Sequence, residues 1–140
     1  MDFISSSEIL VTEKSGILYR VINGEKKIIS GIPKAYSRGQ GGLLDVALHP
    51  NYINNNLIYF TISSQEGQGS GGNTALYIAE LLDEEIINLR LLYKAFPNTK
   101  KGQHWGSRIV FDNDGHLFFS IGDRGNRDLN PQNIELDGGK

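Results

Sequence analysis

Three short runs gather the side chains best suited to chemistry. GQHWGSR (102–108) sets a histidine between a glutamine and a tryptophan, and GDRGN (122–126) sets an aspartate and an arginine between glycines. An imidazole with a reference pKa of ~6.5 is matched to moving protons near neutral pH, so His104 is a candidate general base. The third run, SRGQGGLLDVALHP (37–50), places Gln40 among glycines. Its amide both donates and accepts, and the glycines let a flat ligand approach the main chain. Each run also has a plain structural reading. His104 can be a turn histidine, Trp105 a core or pocket-wall aromatic, Arg108 half of an ion pair, and GDRGN a turn in which Asp123 accepts main-chain hydrogen bonds and Arg124 pairs locally.

Other chemistries lack their residues. The absence of cysteine removes disulfides, thiolate nucleophiles and cysteine-held metals. DNDG (112–115) lacks the spacing and terminal glutamate of an EF-hand loop and reads as a hairpin turn. His49 and His116 flank turns with no partner at metal-ligand spacing, so no metal site is assigned. The glycine pair at 41–42 is not followed by Lys-Ser/Thr and a helix, which excludes a phosphate loop. Neither a serine elbow nor paired glycosidase carboxylates can be assembled. A net charge of −2, from 14 basic and 16 acidic residues with no basic block, gives no attraction to nucleic acid. No apolar run reaches the ~18 residues of a membrane span, and the first residues lack the basic start and apolar run of an export signal.

The elements that must position these side chains read as strands. Short β-branched and aromatic runs recur between turn signals at 8–12, 17–22, 26–30, 43–48, 57–63, 74–81, 89–95, 108–111 and 117–121, amid 17 glycines. LLDEEIINLRLL (81–92) has a competing helical reading, and a hairpin turn at Asp83 and Glu84 is preferred. The glycine- and serine-rich run 63–74 reads as a mobile loop between strands. A motif of apolar strand, polar turn and apolar strand recurs from Phe3, Leu48 and Phe111, about 45 and about 63 residues apart, near the ~40–50-residue period of propeller blades. The expected fold is all-β, a partial β-propeller of about two and a half blades, where closed rings need about 4–8.

GQGGLLDVALHP followed by GQHWGSRIVFDNDGHLFFSIGDRG resembles the glucose/sorbosone dehydrogenase family, the soluble pyrroloquinoline-quinone (PQQ) aldose dehydrogenases with six-bladed propellers. ILVTEKSGILYRV looks like the family's first-blade hairpin, so the resemblance covers almost the whole chain. It implies a quinoprotein oxidoreductase that oxidises an aldose at its anomeric carbon to the lactone, with PQQ and calcium as cofactors and an external electron acceptor. His104 matches the catalytic histidine and Gln40 the pocket-floor glutamine near sugar and cofactor. Gln103 stands where glucose-specific members carry aspartate, so the preferred aldose cannot be copied from them. Asp123 and Arg124 match the GDRG pattern at the pocket rim, where with Arg108 they are expected in supporting roles.

The family's calcium ligands and PQQ-binding basic residues come mostly from later blades, and DGGK (137–140) looks like its glycine-lysine before the next strand. Residues 1–140 are therefore expected to be an N-terminal part of one propeller domain, inactive alone and prone to self-association through open sheet edges. The family is usually periplasmic or secreted; this chain gives no location. Two other classes share the architecture: a non-catalytic propeller binding module, and a calcium-dependent propeller lactonase that works without PQQ.

Overall fold

A computed structural model describes residues 1–140. Ten strands form two four-stranded antiparallel meanders and a two-stranded hairpin. The first sheet holds β1 (Asp2–Ser5), β2 (Glu8–Glu13), β3 (Ile17–Ile22) and β4 (Glu25–Ile29). The second holds β5 (Leu43–Leu48), β6 (Leu57–Ser64), β7 (Asn73–Leu82) and β8 (Glu85–Lys94), and the third β9 (Gly106–Phe111) and β10 (Leu117–Ile121). Two blades and half of a third make the partial propeller that the repeat implied. The second and third copies of the motif are the first hairpins of their sheets, and Phe3 belongs to β1, which the strand reading omitted.

Local chemistry fixes the turns. Asn23 and Gly24 both take positive φ, 50° and 86°, between the paired residues Ile22 and Glu25. That is the two-residue hairpin whose twist matches its strands. Leu82 pairs with Glu85 around Asp83, at φ 50°, so LLDEEIINLRLL is a hairpin and its helical reading falls away. The polar turn after His49 contains a single helical turn, Tyr52–Asn55, that the sequence did not suggest. His49 Nδ1 accepts the Asn51 N–H at 2.9 Å just ahead of it.

The middle sheet is covered on both faces, and strand alternation divides its side chains between them. Ile58, Phe60, Ile62, Ala75, Tyr77, Ala79 and Leu81 pack toward Leu10, Leu18 and Ile29 of the first sheet. Leu76 and Tyr59 pack the other way, with Ile109, Phe111, Leu117 and Phe119. Double coverage explains the nearly continuous burial of β7, whereas most of β8, the outer strand, is exposed. Val110 and Phe118 stay exposed on the outer face of the β9–β10 hairpin. Ile121 donates its N–H to Lys140 O and accepts the Gly139 N–H, so DGGK begins to pair beside β10.

Polar side chains tie the innermost strands, β1, β5 and β9, to one another. Asp2 Oδ2 accepts the Leu48 N–H at 2.8 Å, and Asp45 Oδ2 accepts the Ile109 N–H at 3.0 Å. Asp45 is buried, and removing its carboxylate would leave a buried N–H without a partner. Such a loss costs about 1–3 kcal/mol. Asp45→Ala should therefore lower the urea-unfolding free energy by that amount, while exposed Asp114→Ala stays within about 0.5 kcal/mol of the parent. Equal effects of the two substitutions would show that the inter-strand bond contributes nothing.

Candidate active site

Gln40 lies three residues before β5 and His104 two residues before β9, so consecutive innermost strands are entered by the two loops of the site. The loops are laced together. Gln40 N–H donates to Gly102 O at 2.6 Å, and Gln40 Oε1 accepts His104 N–H at 2.8 Å. A Cβ on Gly41 would lie 2.7 Å from Tyr36 O and 2.9 Å from the Trp105 ring. Gly39 and Gly41 thus make room for the protein's own second loop, whereas a Cβ on Gly42 would meet Lys14.

Side chains of the middle sheet anchor the second loop from below. Thr74 Oγ1 donates to Trp105 O at 2.8 Å and Thr61 Oγ1 to Ser107 O at 2.9 Å. Between these anchors and Gln40, His104 is held at φ 54°, a left-handed conformation that costs a non-glycine residue about 1 kcal/mol or more. Strain of this kind persists only where the surroundings fix it.

The GDRG loop closes over the same segment. Asp123 Oδ1 receives His104 Nδ1 and the Gly125 N–H, each at 2.7 Å. The Gly125 N–H first, and then His104, hold the Asp123 carboxyl below the usual carboxylate range. An ionised carboxylate only accepts hydrogen bonds, so His104 Nδ1 carries the hydrogen. In the neutral ring that leaves Nε2 with a free lone pair, on a side chain 55% exposed. Gln40 is also exposed, and its Nε2 donors have no partner within the chain.

Arg124 departs from the expected local ion pair. It is 2% exposed, its guanidinium lies 3.3 Å from the centroid of the Trp105 ring, and it donates to Lys101 O at 2.7 Å and to Gln103 O. Burial pulls its pKa down to about 10, which leaves it cationic at neutral pH. The Gln103 side chain rests against Gly125 and makes no hydrogen bond. Arg108 stands apart on β9, its guanidinium exposed and 3.8 Å from Asp45. The structure therefore brings Gln40, Gln103, His104, Asp123 and Arg124 together and leaves Arg108 on the strand below.

Sequence reasoning missed Thr61, Thr74 and Asn130, whose Nδ2 donates to Asp123 O at 2.8 Å. No motif marks them. A signal for the paired loops was present: Gly-Gln occurs at 39–40, 67–68 and 102–103, and the first and last copies share the 63-residue offset that separates Leu48 from Phe111.

This fold and site define a propeller protein with a histidine–aspartate pair at its rim. The Glucose / Sorbosone dehydrogenase family model matches residues 1–140, and the chain belongs to that family. It is 33% identical over 122 residues to the aldose sugar dehydrogenase YliI of Escherichia coli (strain K12), covering 84% of this chain and 33% of that protein. A crystal structure of a glucose dehydrogenase superposes with a TM-score of 0.91 at 27% identity, over all of this chain and 41% of the other. The PQQ-bound aldose sugar dehydrogenase of Streptomyces coelicolor gives a TM-score of 0.79 at 24% identity, over 95% of this chain and 40% of that one, a likeness of fold. The chain thus spans about a third of that relative and about two-fifths of these structures.

The depressed Asp123 carboxyl has a consequence for acid stability. A lowered folded pKa contributes stability that is complete above the unfolded carboxylate value of ~4 and is lost as pH falls through the folded value. Between about pH 5 and about pH 2 the melting temperature of the parent chain should fall further than that of Asp123→Asn. Parallel decline of the two would contradict this reading of the aspartate.

Proposed function

We propose that residues 1–140 supply the proton-transfer side of the active site of a PQQ-dependent aldose dehydrogenase, as two and a half blades of a six-bladed ring. The observation that carries the proposal is the His104–Asp123 hydrogen bond, which leaves His104 Nε2 unspent on the rim beside the free amide of Gln40. Family membership supports sugar oxidation as the reaction class. PQQ as the cofactor rests on the resemblance of the GQGG and GQHWGSR runs.

An exposed amide donor beside an unprotonated imidazole nitrogen fits a ligand with carbonyl oxygens next to a sugar hydroxyl. Gln40 Nε2 would donate to an oxygen of quinone or sugar, and His104 would face the anomeric hydroxyl. PQQ, when bound, supplies a two-electron sink that an external acceptor later empties. The chain's own part is the proton. His104 Nε2 takes it from the anomeric hydroxyl as the C1 hydrogen leaves with its electron pair, and the aldose becomes the lactone. Proton removal limits the positive charge that builds at carbon. The ionised Asp123 carboxylate keeps Nδ1–H in place and stabilises the imidazolium that forms, as in other histidine–carboxylate pairs.

Calcium does not fit the chain's acidic cluster. Asp112, Asp114 and His116 place ligand atoms within 4.8 Å of one another, but calcium takes six to eight oxygens. Here Asp112 is already spent on the Asp114 and His116 N–H groups and on His116 Nδ1. No step is assigned to calcium.

In the PQQ-reconstituted protein that carries this chain, His104→Ala should lower dye-linked aldose oxidation at least ~10²-fold, the scale of general acid–base catalysis. Oxidation at the parent rate would remove His104 from the mechanism. Lactone hydrolysis without PQQ would move the protein to the hydrolase class.

A further inference from the structure

On the other side of the GDRG loop lies a second pocket, about 200 Å³ in volume, with Lys101 and Arg124 in its wall and no carboxylate. Neither cation is paired with a carboxylate. The carboxylates next to the pocket in sequence are engaged elsewhere, Asp123 with His104 and the Gly125 N–H, and Asp137 with the Phe96 N–H at 2.7 Å.

Hydrogen-bond donors around the pocket are likewise unspent. Lys101 Nζ makes a single bond, to Gly125 O at 2.7 Å, so two of its three N–H groups remain. Neither the Asn126 side chain nor the N–H of buried Gly138 has a partner within the chain, and Arg124 Nε is buried without one. The Asp123 carboxylate, the Trp105 face and two carbonyls offset part of the cost of burying the Arg124 guanidinium. The positive field reaches Lys94. Burial pulls this lysine down to about 8, and the Arg124 cation adds to the effect while Glu66 and Asp137 oppose it.

We infer that this pocket binds a small oxyanion, a phosphate or carboxylate group, held by Lys101 Nζ, the Asn126 amide and the Gly138 N–H with the Arg124 charge behind them. Two cations, unspent donors and no acidic side chain in one pocket wall are the chemistry of such a site, and charge-assisted bonds to an anion are the strong kind. The inference does not rest on the dehydrogenase reading, because none of these three donors touches His104 or Gln40.

The test is titration of the full chain with sodium phosphate, and separately with sodium acetate, against sodium chloride of equal ionic strength. The Gly138 amide and Asn126 side-chain resonances are followed by NMR. The expected result is saturable shifts at both positions, weakened at least ~10-fold in Lys101→Gln and in Asn126→Leu, the worth of one charge-assisted bond. Tighter binding of phosphate assigns the site to phosphate groups, and tighter or equal binding of acetate assigns it to carboxylates. No saturation by either anion, or equal affinity in the parent and both variants, would overturn the inference.

Discussion

The buried guanidinium of Arg124 is the contact on which the site depends. Set over the Trp105 ring and bonded to the carbonyls of Lys101 and Gln103, it clamps the GDRG loop onto the segment that ends in His104. Asp123, one residue earlier, is thereby carried to the histidine. A lysine could not span two carbonyls while stacking on the indole, because that geometry needs a planar group with several fixed donors. The arginine thus positions the pair.

The clamp works because the propeller delivers both halves to the same end. Each blade begins at its innermost strand, so the loops entering β5 and β9 become neighbours once the sheets pack face to face. The middle sheet adds Thr61 and Thr74 as anchors beneath the second loop, and Gln40 fastens it from the side. With three supports around it, His104 can hold a left-handed backbone and still expose its ring. Rigidity below and exposure above suit the role proposed for His104.

Much of this was legible in the sequence. The motif copies at Phe3, Leu48 and Phe111 foretold the sheets because a hairpin buried on one face must repeat its apolar pattern wherever the blade repeats. The loops of His104, Gln40 and Asp123 stood out as glycine-rich runs, and the family resemblance, not residue type, singled out these three within them. Burial of Arg124 was not legible, since an arginine between glycines in a turn ordinarily faces water. Its place follows from Trp105, nineteen residues earlier in the chain, and only packing brings the two together. The threonine anchors were hidden for the same reason, being ordinary strand residues until the third sheet is laid beside the second.

The account turns on which nitrogen of His104 is free. The direct measurement is the ¹⁵N spectrum of the His104 ring in the intact chain at a pH where the imidazole is neutral. The account predicts a proton on Nδ1, bonded to Asp123, and an unprotonated Nε2, with that preference lost in Asp123→Ala. A ring protonated at Nε2, or a tautomer mixture indifferent to the aspartate, would contradict it.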